Sequence, residues 1–543
     1  MINVESIQNL HVLLSHRDFY GAARSIDDIL YRPISTDLLC LLSILAFENS
    51  EEKRFRSWAA SCLPVSACQQ ANGAEVMRTR SVFGRIQIFE CWKQLLTRAS
   101  VLESGKQNRI ELAATLHELF ARINDRKEEG DPHQHLVKAG IHFARDDCLF
   151  KLYRAQKIFL DGQHLAPYVA AFEQQHGFEL ESYLGVIFTI VMRCQAKRRV
   201  ERFNPLDLDG WCIDLNEVHR ELKLDLELLR TMMNAIAFTL DEGIAFARGT
   251  VDDPASFELF RNRPFLKLSE TRFLPIEGKL VEELLFDNLL HRLHFASGRD
   301  VRFYTHLGYD FERYTQSLIE DFCASDTRIA YECIPEFAYG KSNAKSPDAM
   351  VHCAQNQTLI AFEVKSARYL DSILTSGNAP EAVADSFEKL RDKPWKQMHD
   401  AIERIVDERR HAKLTEALRY LFVAITMNEI PHSLQDFGIK ISGLDRSCCF
   451  FSFGIHTFEL LLIAASLSSE YTIYDMLRNA FNERHRISNR TTFIRFLRAE
   501  NGASPLYAKI RSDAIRRLQV SLDRHLSEFG GSTEDPLSGR SRA

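Results

Sequence analysis

Residues 346–366 read SPDAMVHCAQNQTLIAFEVKS. Pro347-Asp348 opens an apolar run, and the polar residues Gln355, Asn356 and Gln357 interrupt it. A second apolar run then ends in Glu363-Val364-Lys365. Two apolar runs about a polar turn predict a β-hairpin. Side chains alternate faces along a strand, so Glu363 and Lys365 share a face and Val364 points the other way. If a two-residue turn at Gln355-Asn356 closes the hairpin, Asp348 stands opposite Glu363, with Cβ atoms about 5 Å apart. These turn residues are not the favoured Asn-Gly type, so a register slip of a residue or two stays open.

Two neighbouring carboxylates in a half-buried sheet repel unless a cation lies between them. An oxygen-rich site of this kind suits a hard divalent ion, Mg²⁺ first. The rest of the chain has to supply the remainder of the site.

A chain of 543 residues has room for about two to four domains. With 45% hydrophobic and 26% charged residues its composition is that of a globular protein. The net charge of −6 excludes a globally basic nucleic-acid binder, so any basic surface is local. None of the twelve cysteines forms a CxxC pair, which reads as reduced, mostly buried thiols. The N-terminus MINVESIQNLHVLLSHRD lacks the charged start and apolar core of a signal peptide, and the apolar runs are too short to span a bilayer. The expectation is a cytoplasmic protein without membrane contact.

Residues 1–203 carry apolar residues at three- and four-residue spacing, as at Leu112, Leu116, Leu119 and Phe120, and predict a helical region: a sensor or partner platform. His133 and His135 read as a solvated loop rather than metal ligands, with no third ligand nearby. The basic cluster AKRRVERF, 196–203, reads as a helix end ahead of a boundary at Asn204-Pro205. Residues 204–300 predict a connecting module: two helices within 214–238, weakly winged-helix-like, and a hairpin flanking Ser269-Glu270-Thr271. Plain helix packing is the stronger reading of that pair.

Residues 301–470 predict a helix beginning after Gly308 and Asp310, then three strands, a helix interrupted at Lys393-Pro394, and strands at 419–428 and 449–458. That order fits an α/β sandwich with a mixed sheet. Residues 471–528 predict a basic helical tail, with Phe481, Phe493 and Phe496 among its arginines, which include Arg478, Arg484, Arg486, Arg490, Arg495, Arg498, Arg511, Arg516 and Arg517. Such a stretch either binds phosphate and stacks bases or is an amphipathic face packed on the core. Residues 529–543 read as disordered.

From 307 to about 458 the chain resembles the PD-(D/E)xK nuclease superfamily. The resemblance rests on Pro347-Asp348, a fourteen-residue gap, Glu363-Val364-Lys365, the preceding LGYDFERY helix and the following helix with Gln397. It implies a restriction-endonuclease-like α/β/α domain with a mixed sheet, following the helical N-terminal region in a multidomain α and α/β chain. It also implies a Mg²⁺-dependent nuclease, with Mn²⁺ as a substitute metal. Asp348, Glu363, the Val364 carbonyl and Glu312 would hold the metal, and Lys365 would orient the attacking water. Gln397 is a further catalytic candidate, although the tyrosine found four residues later in some members is Ala401 here. Glu332 and Glu336 are lesser candidates.

The expected partner is nucleic acid, DNA ahead of RNA, with bacterial defence a setting by analogy. No nucleotide-binding loop is present: Pro335 stands where one ending in Gly340-Lys341-Ser342 requires glycine. Any motor or trigger would therefore come from a partner protein. The alternatives are an inactive nuclease-like binding or assembly protein and an RNA-processing nuclease.

Overall fold

The computed structural model describes residues 13–528 apart from 22–23, 48–50, 63–79, 101, 104–107, 126–145, 200–208, 254–255, 326, 341–342, 367–384, 430–446, 484–487 and 501–502. The described chain is mostly helical, with three sheets. His133 and His135, the end of the 196–203 basic cluster and the 529–543 terminus lie outside the described residues.

The five-stranded sheet organises the C-terminal half. Its strands are β1 (Tyr331–Pro335), β2 (Ala349–Cys353), β3 (Thr358–Lys365), β4 (Arg419–Thr426) and β5 (Ser447–Gly454). They lie in sequence order across the sheet. β1–β2 and β2–β3 pair antiparallel, and β3–β4 and β4–β5 pair parallel, so the sheet is mixed. β4 (RYLFVAIT) is buried from its second residue onward, as a central parallel strand covered on both faces must be.

Three helices cover this sheet: α1 (Phe303–Ala324), α2 (Lys393–Asp407) and α3 (Ile455–Leu467). α1 begins before Gly308, not after it, because Phe303 and Leu307 extend the apolar stripe of Phe311, Tyr314, Leu318 and Phe322. It packs on the face carrying Val351, Ile360 and Phe362. α2 covers the other face, placing Trp395, Met398, Ile402 and Ile405 against Met350, Leu359, Ala361 and Phe422. The expected break at Lys393-Pro394 is instead a π-turn, Glu388–Asp392, running directly into α2. A widened turn just ahead of Pro394 relieves the clash of its ring with the preceding turn, so the helix continues. The run 449–458 is not one strand either, since β5 ends at Gly454 and α3 starts at Ile455.

In the 204–300 segment the helices Leu215–Leu222 and Leu226–Ile236 and the hairpin Phe265–Lys267/Arg272–Pro275 form as expected. Two further short strands, Ile213–Asp214 and Ala237–Phe238, complete a four-stranded sheet with that hairpin. The helix pair has no basic surplus: Arg230 pairs with Glu227, and Glu217 and Glu221 flank Arg193.

A continuous apolar cluster runs from Leu14 to Leu518, so the segments that differ in sequence texture share a core. A buried polar network crosses them. Arg154 Nε donates to Glu459 Oε1 at 2.9 Å, its other nitrogen donates to Asp146 at 2.9 Å, and the Tyr314 hydroxyl donates to Glu459 at 2.6 Å. The basic tail is also part of the core. Phe493 is fully buried, edge-on to Phe453 of β5, and Phe481 and Phe496 pack beside it. Of the arginines there, Arg517 is bound by Asp161 and Glu181. No described helix is long and apolar enough to cross a membrane. Ten of the cysteines, Cys40 to Cys449, are free thiols.

Candidate functional site

The β2–β3 ladder runs from Cys353↔Thr358 to Ala349↔Phe362, and one step further sets Asp348 opposite Glu363. That is the register expected from the sequence, although the connection is not a two-residue turn. It comprises the short 3₁₀ turn Ala354–Asn356 and Gln357, which adopts the left-handed conformation (φ 50°). The longer loop is centred on the same two residues, so lengthening it by one residue on each side leaves the pairing unchanged. By alternation Asp348, Glu363 and Lys365 share the α2 face with Met350, Leu359 and Ala361, at the open end of the strands.

The Val364 N–H donates to Asp348 Oδ2 at 2.7 Å. Val364 therefore turns its backbone polar groups towards the β2 side, because the N–H and C=O of one strand residue face the same neighbour. The register sets Pro347 opposite Val364. Proline has no N–H, so strand pairing offers the Val364 carbonyl no donor there. The Pro-Asp pair thus takes the Val364 N–H with a side chain and leaves the carbonyl available. Next to it, Lys365 Nζ donates to Glu363 Oε1 at 2.8 Å.

α1 comes from the opposite layer and brings Glu312 to this end of the sheet. The helix passes close at Gly308, where a Cβ would lie 3.3 Å from Ser366 Oγ, one residue beyond Lys365. Glu312 lies one turn further on the same side of the helix. Glu312 is partly buried, and burial, then Asp348, then Glu336 raise its proton affinity, against Lys345 and Lys365. Glu336 itself accepts from Lys345 Nζ at 2.9 Å. Burial, with Glu363 second, pushes Asp348 up to about 7 despite its bond from Val364. Glu363 is also raised by burial, against the pull of Lys365. The two titrate as a pair. The cluster sets Asp348, Glu363, Glu312 and Glu336 against Lys345 and Lys365. A partly buried surplus of carboxylate whose proton affinity is raised by burial and mutual repulsion is a donor set suited to a hard divalent cation.

Other candidates fall elsewhere. Gln397 is exposed on the polar side of α2, and among the described residues it makes no hydrogen bond to these carboxylates. Glu332 is occupied by Lys413 on the outer surface of β1, whereas Glu336 joins the cluster. Lys197, in the basic cluster, binds the backbone carbonyls of Gly210 and Cys212.

A second donor group was not anticipated from the sequence. His399, Asp400 and Glu403 on α2 have ligand atoms all within 4.8 Å of one another, a spacing that Asp348, Glu363 and Glu312 do not meet as a trio. His399 Nδ1 lies 3.5 Å from Asp400 and 3.9 Å from Glu403, and its buried Nε2 has no hydrogen-bond partner among the described residues. The signal for it was a His and a Glu at i and i+4 on one helix.

Comparison with known proteins found nothing: no family model, no curated protein and no solved structure matches this chain.

Proposed function

We propose that the protein is a metal-dependent nuclease, hydrolysing phosphodiester bonds in DNA in preference to RNA, built on a restriction-endonuclease-like α/β/α unit of helix, three strands, helix and two strands. The observation that carries this reading is the convergence of Asp348, Glu363 and Glu312 with Lys365 at one end of the mixed sheet, from three separate elements. Asp348, Glu363, the Val364 carbonyl and Glu312 fit as holders of Mg²⁺, which when bound lowers the pKa of a coordinated water and polarises a phosphoryl oxygen. The Val364 N–H fixes the Asp348 carboxylate in orientation. Lys365, held at Glu363 and partly exposed, carries the positive charge that steadies the phosphate as negative charge develops. Its ammonium group would donate a hydrogen bond that orients the attacking water. Glu336, tied to Lys345, raises the local negative field without spending a ligand position.

The test is cleavage of plasmid, single-stranded DNA and RNA with Mg²⁺ or Mn²⁺, alongside Asp348→Ala and Lys365→Ala. Loss of at least about a hundredfold in both variants is expected, the scale of removing one charge-stabilising group from a hydrolytic site. Unchanged cleavage in both would sink the site. Binding without cleavage in any metal would favour a nuclease-like binding protein instead.

A further inference from the structure

Ten large hydrophobic side chains are exposed among the described residues, and four of them, Phe295, Val301, Tyr304 and Tyr309, fall within one short segment. That segment comprises the end of the helix Asp287–Ala296 and the first turns of α1, which brings Glu312 to the candidate site. The rings connect. His294 lies 4.9 Å from Tyr304 and 5.1 Å from Phe303. Phe303 lies 5.1 Å from Tyr168, which meets His306 at 5.7 Å. His306 lies 6.0 Å from His164, and His164 lies 5.0 Å from Tyr309. The path runs beneath the surface through Phe303 and Tyr168, both buried, so the exposed Tyr304 and Tyr309 stand on a shared aromatic base and form a strip along the α1 flank. The strip ends beside the site, because Tyr304, Gly308 and Glu312 follow one another at i, i+4 and i+8 and Gly308 faces Ser366, where a Cβ would lie 3.3 Å from its Oγ. From Tyr304 to Glu312 is about 12 Å along the helix, room for a short run of nucleotides.

The charge on the strip suits phosphate. The Arg299 guanidinium lies over Phe295 at 5.2 Å and has no carboxylate partner among the described residues. Arg302 is largely exposed but paired, donating to both carboxylate oxygens of Asp300 at 3.3 and 3.0 Å, so a phosphate there has to compete with that carboxylate. Exposed rings with interleaved arginines stack unpaired bases and hold backbone phosphates, whereas a duplex keeps its base faces covered.

We propose that this strip is the binding track for single-stranded nucleic acid, bases stacking on Tyr304, Tyr309 and Phe295 and phosphates meeting Arg299 and Arg302. The proposal rests on the nuclease reading only for what happens at the end of the track. Its test is therefore a binding measurement: fluorescence anisotropy of the full chain with labelled oligo(dT), oligo(U) and a duplex, in EDTA. Stacking on the strip predicts single strands bound more tightly than the duplex. The double variant Tyr304→Ala/Tyr309→Ala is expected to weaken single-strand binding by about 10- to 100-fold, with the fold kept and a thermal melt lowered only modestly because both rings are half exposed. Tyr304→Phe/Tyr309→Phe is expected to keep the affinity, and the DNA and RNA arms show which strand is preferred.

Single-strand affinity unaltered by the alanine pair, or duplex bound equally well, would overturn the track, as would failure of the wild type to bind any nucleic acid; the strip would then be a protein-docking face. Tight single-strand binding without cleavage in any metal would remove the nuclease reading and leave the track standing. Cleavage by wild type with unaltered binding by the alanine pair would do the reverse.

Discussion

Replacing Asp348 by Asn tests the electrostatics of the site without relying on catalysis. The asparagine oxygen can still accept the Val364 N–H, so the loss is one negative charge beside Glu363 and Glu312. Burial, then Glu363 and, less, Glu336 raise Asp348 from 3.8 to about 7 in the folded chain. Below the unfolded value both states hold the proton and the aspartate makes no net contribution. Between that value and about 7 the folded state holds a proton that the unfolded chain releases. The wild type therefore loses stability as pH rises through this window, and the penalty is complete above it. A rise of about three units corresponds to a ceiling of ~4 kcal/mol. Partial exposure and sharing of the proton with Glu363 bring the expectation down to about 1–2 kcal/mol.

In EDTA, Asp348→Asn should then melt closest to wild type at pH 4.5, near the bottom of the window, and a few degrees higher at pH 8. Added Mg²⁺ should raise the wild-type Tm at pH 8 and leave the variant nearly unmoved, since an ion that binds only the folded state stabilises it by mass action. Its affinity for wild type should fall with pH as the carboxylates protonate. Thermal melts at pH 4.5, 6 and 8, with and without Mg²⁺, measure all of this. A variant less stable than wild type at pH 8, or a difference independent of pH, would refute the reasoning.

Two further substitutions probe the frame around the site. Asp310, buried on α1 two residues before Glu312, accepts the backbone N–H groups of His164 and Leu165 at 3.1 and 2.9 Å. Asp310→Ala leaves these donors unmet and should cost about 1–3 kcal/mol, read as a lower urea midpoint, with cleavage falling as α1 loosens; an unchanged midpoint would show that water replaces the carboxylate. Phe493→Ala should cost about 3–5 kcal/mol, because its ring is wholly enclosed against β5; a loss below about 1 kcal/mol in chemical denaturation would return the tail to the surface.

The hairpin was legible from its residues alone. Asp348 and Glu363 are opposed because the apolar runs 349–353 and 358–362 are symmetric about Gln355-Asn356, and that symmetry survives a change in loop length. The order of helix, three strands, helix, strand was legible for the same reason: it rests on local periodicity. Ends were less so. α1 starts early at Phe303 and the last apolar run divides at Gly454, since a residue at a helix end is decided by what it packs against.

Three matters were decided only by the tertiary structure. One is the arrival of Glu312, which shares no strand or turn with Asp348 and reaches it because Gly308 lets α1 approach Ser366. Another is the burial of the tail. The spacing of Phe493 and Phe496 suits a base-stacking surface as well as a core, and only the sheet beneath them chose the core. The third is the proton affinity of Asp348. Composition places carboxylates in a chain, but the field at one of them depends on burial and on groups distant in sequence, which local pattern does not encode.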